Sequence, residues 1–490
     1  MEFYQNNKLT EKEEIKALAY KVNILDKKYE YGGPTLHYDR SGLYIDESDK
    51  HVAFIATSGG GKTTSGINPA VHSSIRAGES FLITDVKQEV FNQFYDELKR
   101  EEYRIVIINF REPWKSTRWN PLRVIYELFR SGIPKNVDKA MRMLKSLVAV
   151  CITDTGSNDP YWANAARKTL MSIIQALFIS AKPEQINLFN AYYMLETGKE
   201  KFATSNYLEE FFKDFIGEDN PVYTGMSSYF NNAPDTRRCV ESVLHTGLGE
   251  FITSEVLIDT FSHDDFDITS LDSEKTAIFV IVQDESTIYH NLAGIFVSQV
   301  YEQYISLAQE KYNGKLPRRV NFFLEEFGQL KIDNAPSMLS ASRSRNIRIF
   351  IVLQSFAQLE KYGSDNAKAI KENCGIWYYF YTNDIATLEE LSRLSGERRV
   401  DASGQPSTKP LLSVTDLQSF KMGQVLIRMR GIQYVTKLPH FEVYGLGEPK
   451  HVEMKEREFK EISLFDMKTL VRNKKREKFE SITSNLKVSQ

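Results

Sequence analysis

The chain has 490 residues, enough for two or more domains with separate cores. Its 42% hydrophobic and 26% charged content are those of an ordinary globular protein. A net charge of -3, from 62 basic and 65 acidic residues, excludes a globally basic nucleic-acid binder, so any DNA contact has to come from local patches or a ring of subunits. Cys151, Cys239 and Cys374 lie far apart in no metal-ligand spacing and read as core residues in a reducing compartment. No apolar stretch approaches the roughly 18 residues that span a bilayer, and the polar, acidic start MEFYQNNKLTEKEE is unlike a signal peptide. A soluble chain is expected.

In chain order, residues 1–40 form an N-terminal segment in which 10–27 has helical spacing. Ile15, Leu18, Ala19, Val22 and Leu25 recur on one face, with Thr10 and Glu13 as a capping box. From His51 onward short apolar runs alternate with helix-like stretches: HVAFIAT, FLITDV, RIVIINF, then TAIFVIV, VNFFLEE, IRIFIVLQ, GIWYYFY and QVLIRMRG. Continuous β-rich runs separated by helices predict an α/β fold, a mostly parallel sheet with helices on both faces. The series breaks at amphipathic stretches such as VDKAMRMLKSLVAVC and NAARKTLMSIIQALFIS. An all-α domain over 131–264 is therefore expected inside an α/β domain made of 41–130 and 265–448. Residues 400–412 read as a turn-rich loop, and 449–490 as a charged tail whose basic cluster VRNKKREK forms a solvated helix.

HVAFIAT leads straight into SGGGKTTSG, so that Ala56…Gly61-Lys62-Thr63 fits a phosphate loop between a strand and a helix. Glycines 59 to 61 let the backbone aim N–H groups at phosphate oxygens. Lys62 reaches the β- and γ-phosphates, Thr63 places a hydroxyl on Mg²⁺, and the following helix adds its positive end. Ser58, Gly59, Gly60, Gly61, Lys62, Thr63 and Thr64 are the expected nucleotide-binding residues.

Hydrolysis also needs carboxylates for the metal and for the attacking water, at the C-terminal end of a neighbouring parallel strand. VNFFLEE supplies Glu325 and Glu326, which strand alternation points to opposite sides. Glu325 is assigned to the Mg²⁺ and Glu326 to the water. IRIFIVLQ ends in Gln354, suited to sensing a γ-phosphate. The bland alternative is an acidic strand end facing solvent.

The order of these motifs resembles the type IV coupling proteins, hexameric ATPases of conjugative DNA transfer and type IV secretion within the HerA–FtsK group. FIATSGGGKTTSG, FLITDVKQEVF with Asp85, Lys87 and Glu89, STRWNPL, DPYWANAARKTLMSIIQAL, FLEEFGQL, IFIVLQS and KPLLSVTDL carry the likeness over roughly 45–445. The resemblance implies a RecA-like P-loop ATPase domain with an inserted all-α domain, ATP and Mg²⁺ as cofactors, and six subunits around a channel. An arginine from the neighbour would complete each site. Arg343, Arg345 and Arg348 are on offer, with Arg345 preferred and Arg343 second. The expected function is an ATP-dependent translocase of relaxase-bound DNA. Its alternatives are a low-turnover docking adaptor or another DNA pump of the same group. Implied partners are DNA without sequence preference, a relaxase, and a membrane component of the secretion system. That component would hold the chain, a monomer when isolated and without transmembrane helices of its own, at the cytoplasmic face of the membrane. The sequence departs from the family in carrying Glu325 where the family usually has Asp, and Ala56 where it has the first glycine.

Overall fold

The computed structural model describes residues 9–152, 160–252, 254–283, 288–332, 334–402, 405–445 and 448–488. The chain forms two compact units, Met1–Arg111 with Asp267–Met454, and Glu112–Phe266 with Lys455–Gln490.

The first unit is built on a sheet that, among the described residues, has nine strands. They are β1 (His51–Ala56), β2 (Ser80–Asp85), β3 (Arg104–Asn109), β4 (Thr276–Ile281), β5 (Val320–Leu324), β6 (Ile347–Leu353), β7 (Cys374–Tyr381), β8 (Gln424–Met429) and β9 (Ile432–Lys437). Their spatial order is β9-β8-β7-β1-β6-β5-β2-β4-β3. From β7 to β3 every neighbour is parallel, and the β8–β9 hairpin joins antiparallel at one edge. All eight apolar runs singled out in the sequence are strands of this sheet. The central ones are buried at every position, as a sheet covered on both faces requires.

One face carries a row of aromatic rings that crosses six strands: Tyr378, Phe54, Phe350, Phe323, Phe81 and Phe279. Successive ring centroids lie 4.9, 6.3, 4.4, 6.1 and 5.8 Å apart. Those separations fall within or near the range of favourable ring pairs, so the row ties together the strands whose C-terminal ends carry the loops described below.

The N-terminal segment differs from its expected helix. Only Lys12–Leu18 is helical, and Tyr20–Val22 is a strand in a small antiparallel sheet with Gly42–Ile45 and Thr35–Asp39. Thr10 is not a cap. Its N–H donates to Gln433 O at 2.7 Å, and its hydroxyl accepts from Gln433 N–H at 3.1 Å, so the segment covers the exposed edge of β9. Helical spacing was real only where Ile15 reaches the core; Leu18 and Leu25 are 65% and 74% exposed. The stretch read as a loop at 400–412 is largely strand, Glu397–Ala402 pairing antiparallel with Gln405–Pro410. Turn-rich composition marks a connection and says nothing of pairing on its flanks.

The second unit is mainly helical. Pro134–Cys151, Tyr161–Ser180, Leu188–Gly198 and Pro234–Ile252 bury Leu144, Leu170, Ile173, Leu177, Met194 and Leu244. Residues 455–490 belong to this unit, and helix Met467–Val488 is not simply solvated. Val471 is fully buried, Arg472 donates to the Tyr207 hydroxyl at 2.9 Å, and Lys475 and Lys478 pair with Asp214 at 3.2 and 2.6 Å. Cys239, expected in a core, is exposed, whereas Cys151 and Cys374 are buried. Among the described residues no helix is long and apolar enough to cross a membrane.

Candidate nucleotide site

β1 ends at Ala56, and the chain turns through three glycines into a π-helical turn, Lys62–Ile67, and then helix Asn68–Arg76. Gly59 and Gly61 have φ of +75° and +87°, the left-handed region in which a side chain is strained. That backbone folds the loop into a concavity of N–H groups, at a helix end whose first N–H groups have no helical partner. An anion is favoured there by both geometry and dipole.

Two strand ends face this loop. Thr63 Oγ1 donates to Glu325 Oε1 at 2.7 Å, and Lys62 Nζ donates to Glu326 Oε1 at 3.0 Å. Gln354, beyond β6, has its Nε2 3.4 and 3.3 Å from the two Glu326 oxygens. Side chains from three stretches far apart in sequence therefore meet at the C-terminal ends of adjacent strands β1, β6 and β5.

The two glutamates do not point to opposite sides as strand alternation suggests. Glu326 has φ of +48°, a conformation that costs a non-glycine residue on the order of 1–3 kcal/mol and persists only where the surroundings enforce it. Here Glu326 O accepts from Gln329 N–H at 2.7 Å, and Phe327 N–H is tied to Val352 O of β6 at 3.2 Å. The left-handed residue ends the alternation, so both carboxylates reach the phosphate loop.

Burial and then the neighbouring Asp85 charge push the Glu325 carboxyl up to about 8, against the opposing pull of Thr63 and Lys62. Asp85, at the end of β2, is itself pushed up to about 7, chiefly by burial. Its Oδ2 accepts from Phe91 N–H at 2.8 Å, and its Oδ1 is buried without a hydrogen-bond partner. Two buried carboxyls with this little compensation form an environment that a cation would relieve. Among the described residues no group of three or more His, Cys, Asp or Glu side chains could hold a metal ion. The Thr63–Glu325 oxygen pair is of the kind that holds Mg²⁺ together with phosphate oxygens and water.

Lys87 is exposed beyond Asp85 and takes no part in this cluster. The arginines also lie elsewhere. Arg343 pairs with Asp49 at 2.9 Å, and Arg345 donates to Ala341 O at 3.0 Å and Ser344 Oγ at 2.6 Å. Both precede β6, at the end of the strand opposite Gln354. Arg348 is buried, donating to Gly32 O at 3.1 Å and to Ser48 O, and serves the core. The STRWNPL stretch is a joint of the second unit. Arg118 forms a buried pair with Asp259 at 2.9 Å, and Asn120 donates to Ile186 O at 2.6 Å.

Two site residues escaped sequence reading. Thr84 Oγ1 donates to Glu325 O at 2.9 Å and fixes the acidic strand end; its signal was a hydroxyl beside Asp85 in FLITDV. Gln358 Oε1 accepts from Gln354 N–H at 2.8 Å, and Gly328 lies so close to Gln358 that an added Cβ would fall 2.6 Å from its Cβ. Nothing local in the sequence marks that approach.

Fold and loop together define a RecA-like P-loop protein. The sequence matches the family of type IV secretory system conjugative DNA transfer proteins over residues 3–421, and the chain belongs to that family. Its role in the cell is therefore the one the motifs pointed to, a type IV coupling protein of conjugative DNA transfer. No curated protein sequence matches it. Among solved structures it is similar to the unbound bacterial conjugative coupling protein TrwBdeltaN70, at TM-score 0.63 and 15% identity over 90% of this chain and 93% of that one. It is also similar to the plasmid coupling protein TrwB in complex with the non-hydrolysable ATP analogue ADPNP, and to TrwB with ADP and Mg²⁺. Each of these has TM-score 0.62 and 15% identity over 94% of this chain and 95% of that one. At that identity the likeness establishes the fold.

Proposed function

We propose that the chain is an ATP-driven motor that couples relaxase-bound DNA to a type IV secretion channel, hydrolysing Mg²⁺-ATP at the Lys62–Glu326 cluster. The observation that carries this reading is the convergence of Lys62, Thr63, Glu325 and Glu326 within 3.0 Å contacts from remote stretches of sequence. The nucleotide and Mg²⁺ complexes of TrwB support it.

Residues 58–64 hold the phosphates, and Thr63 with Glu325 would hold the Mg²⁺, which supplies charge neutralisation at the phosphates. Without nucleotide, Glu326 is engaged by Lys62. A phosphate chain in the loop competes for Lys62 and releases Glu326 to accept a proton from water, with Gln354 orienting that water. Asp85 acts on the site through the like-charge repulsion that raises the Glu325 carboxyl, and Lys87 is a candidate contact outside the cluster. Arg345, with Arg343 second, is our candidate to reach a neighbour's nucleotide in a hexameric ring. DNA would be held by its phosphates, without sequence preference and with strong salt sensitivity. A relaxase and a membrane component of the secretion system complete the assembly, placing the chain at the inner face of the cell envelope.

Nucleotide binding and hydrolysis measured on two variants test the assignment. Lys62→Ala loses ATP binding. Glu326→Gln keeps ATP binding and loses about 10²–10⁴-fold in turnover. Wild-type turnover in Glu326→Gln would remove Glu326 from the mechanism.

A further inference from the structure

Glu326 and Gln354 need a fixed spacing if one takes a proton from a water that the other orients. Their own contact does not set it. Gln354 Nε2 lies 3.4 and 3.3 Å from the two Glu326 oxygens, longer than the roughly 2.7–3.2 Å of a good N–H···O bond. Each residue also sits past the last residue of its strand, where the sheet ladder no longer holds the backbone.

The spacing is held from behind the site. The turn after β6, residues 354–362, closes over the turn after β5, residues 325–330. Leu330 O accepts from Lys361 Nζ at 2.6 Å and from the Tyr362 hydroxyl at 2.8 Å, while Leu330 N–H reaches back to Glu326 O at 3.4 Å. The Tyr362 ring stacks on the fully buried Phe327, with centroids 5.5 Å apart and planes at 20°. The covering turn is itself anchored: Phe356 N–H donates to Thr387 Oγ1 at 3.0 Å, and Leu359 is fully buried.

Gln358 touches both halves of this clasp. Its Oε1 accepts from Gln354 N–H at 2.8 Å, a donor lying just past the ladder of β6 that needs a partner from elsewhere. Its stem lies against Gly328, two residues beyond Glu326. An added Cβ there would fall 2.6 Å from Gln358 Cβ and 2.8 Å from its Cδ, so the approach requires glycine.

Resting on the hydrolytic reading above, we propose that Gln358 is a positioning residue for ATP hydrolysis. It ties the backbone of Gln354 to the turn that carries Glu326, so carboxylate and amide move as one body when a phosphate chain draws Lys62 away. Gln358 touches neither nucleotide nor water and acts through Gln354. Loss of the tie lets the Gln354 amide shift by roughly 1 Å, a displacement that costs an active site about 10²-fold.

The test is steady-state ATP hydrolysis by variants of the full chain. Gln358→Met keeps the length of the side chain and removes the acceptor. Its kcat falls about 10²-fold, while its KM for ATP stays at the wild-type value. Gln358→Glu keeps an oxygen at the same reach and restores most of that loss. Gln354→Ala loses turnover, and adding Gln358→Met to it loses no more, because residues that act through one group are not additive. A side chain that only supported the fold would give multiplied losses in the double variant. The proposal is overturned by wild-type kcat in Gln358→Met, by a loss carried in KM, by Gln358→Glu as slow as Gln358→Met, or by multiplied losses in the double variant. Wild-type turnover in Gln354→Ala or in Glu326→Gln would instead overturn the hydrolytic reading beneath it.

Discussion

Glu325 and Glu326 are neighbours in sequence and carry different burdens. Glu326 meets Lys62 at 3.0 Å and sits in a strained backbone conformation, whereas Glu325 is buried against Asp85 and linked to the Thr63 hydroxyl at 2.7 Å. That 2.7 Å contact is made by a glutamate, and an aspartate on the same backbone falls short of it by about one C–C bond. Glu325→Asp therefore lowers turnover by about 10²-fold, the cost of a displacement near 1 Å in an active site, measured as kcat at saturating Mg²⁺. A second consequence concerns pH. Burial raises the Glu325 carboxyl to about 8, so between its ordinary value near 4.5 and 8 the folded, unliganded chain binds more protons than the unfolded one. Stability is then greatest at the acid end of that window and falls as pH rises, by up to ~1.4 kcal/mol per pH unit for each such proton. Glu325→Gln removes this dependence, and thermal midpoints recorded without nucleotide from pH 5 to 9 should show the variant gaining on the wild type toward pH 9. An equal slope in both chains would contradict the assignment.

At the scale of elements, the parallel strands were legible because each is a continuous apolar run, which a sheet covered on both faces demands. The phosphate loop was legible for a related reason, since glycine, lysine and threonine at fixed spacing encode backbone geometry directly. What stayed hidden depends on partners distant in the chain. Strand β9, IQYVTK, alternates weakly at an edge, and its outer face is paired by Thr10. The turn at Glu326 is fixed by Val352 and Gln329, which no local pattern announces. Gln358 matters only because Gly328 and Gln354 come to it. The second unit offers a similar case. Asp259, 2% exposed, accepts from Arg118, Arg457 and the Lys460 N–H, which joins the start of the unit to the segment after residue 455. Asp259→Ala leaves Arg457 without its carboxylate and the buried Arg118 with Asp265 alone, and costs about 3–5 kcal/mol. A loss below about 1 kcal/mol in denaturant unfolding would assign the cluster to the weak, solvent-screened class instead.

At the scale of the whole molecule, membership in the conjugative DNA-transfer family and the assembled loop-and-carboxylate cluster accord with the motor proposed above, for which a ring is the proposed working form. A motor and a docking adaptor differ in what they need from chemistry. If Lys62→Ala and Glu326→Gln each abolish substrate transfer, turnover drives transport; if both leave it intact, the chain only presents its substrate. The most direct test of the central claim is steady-state ATP hydrolysis by the wild type and by Glu326→Gln, with and without single- and double-stranded DNA, recorded together with oligomeric mass. A DNA-activated motor predicts that DNA raises wild-type turnover along with a shift toward hexamer mass, and that Glu326→Gln assembles equally well and stays inactive. Hydrolysis that ignores DNA, or that survives in Glu326→Gln, would contradict it.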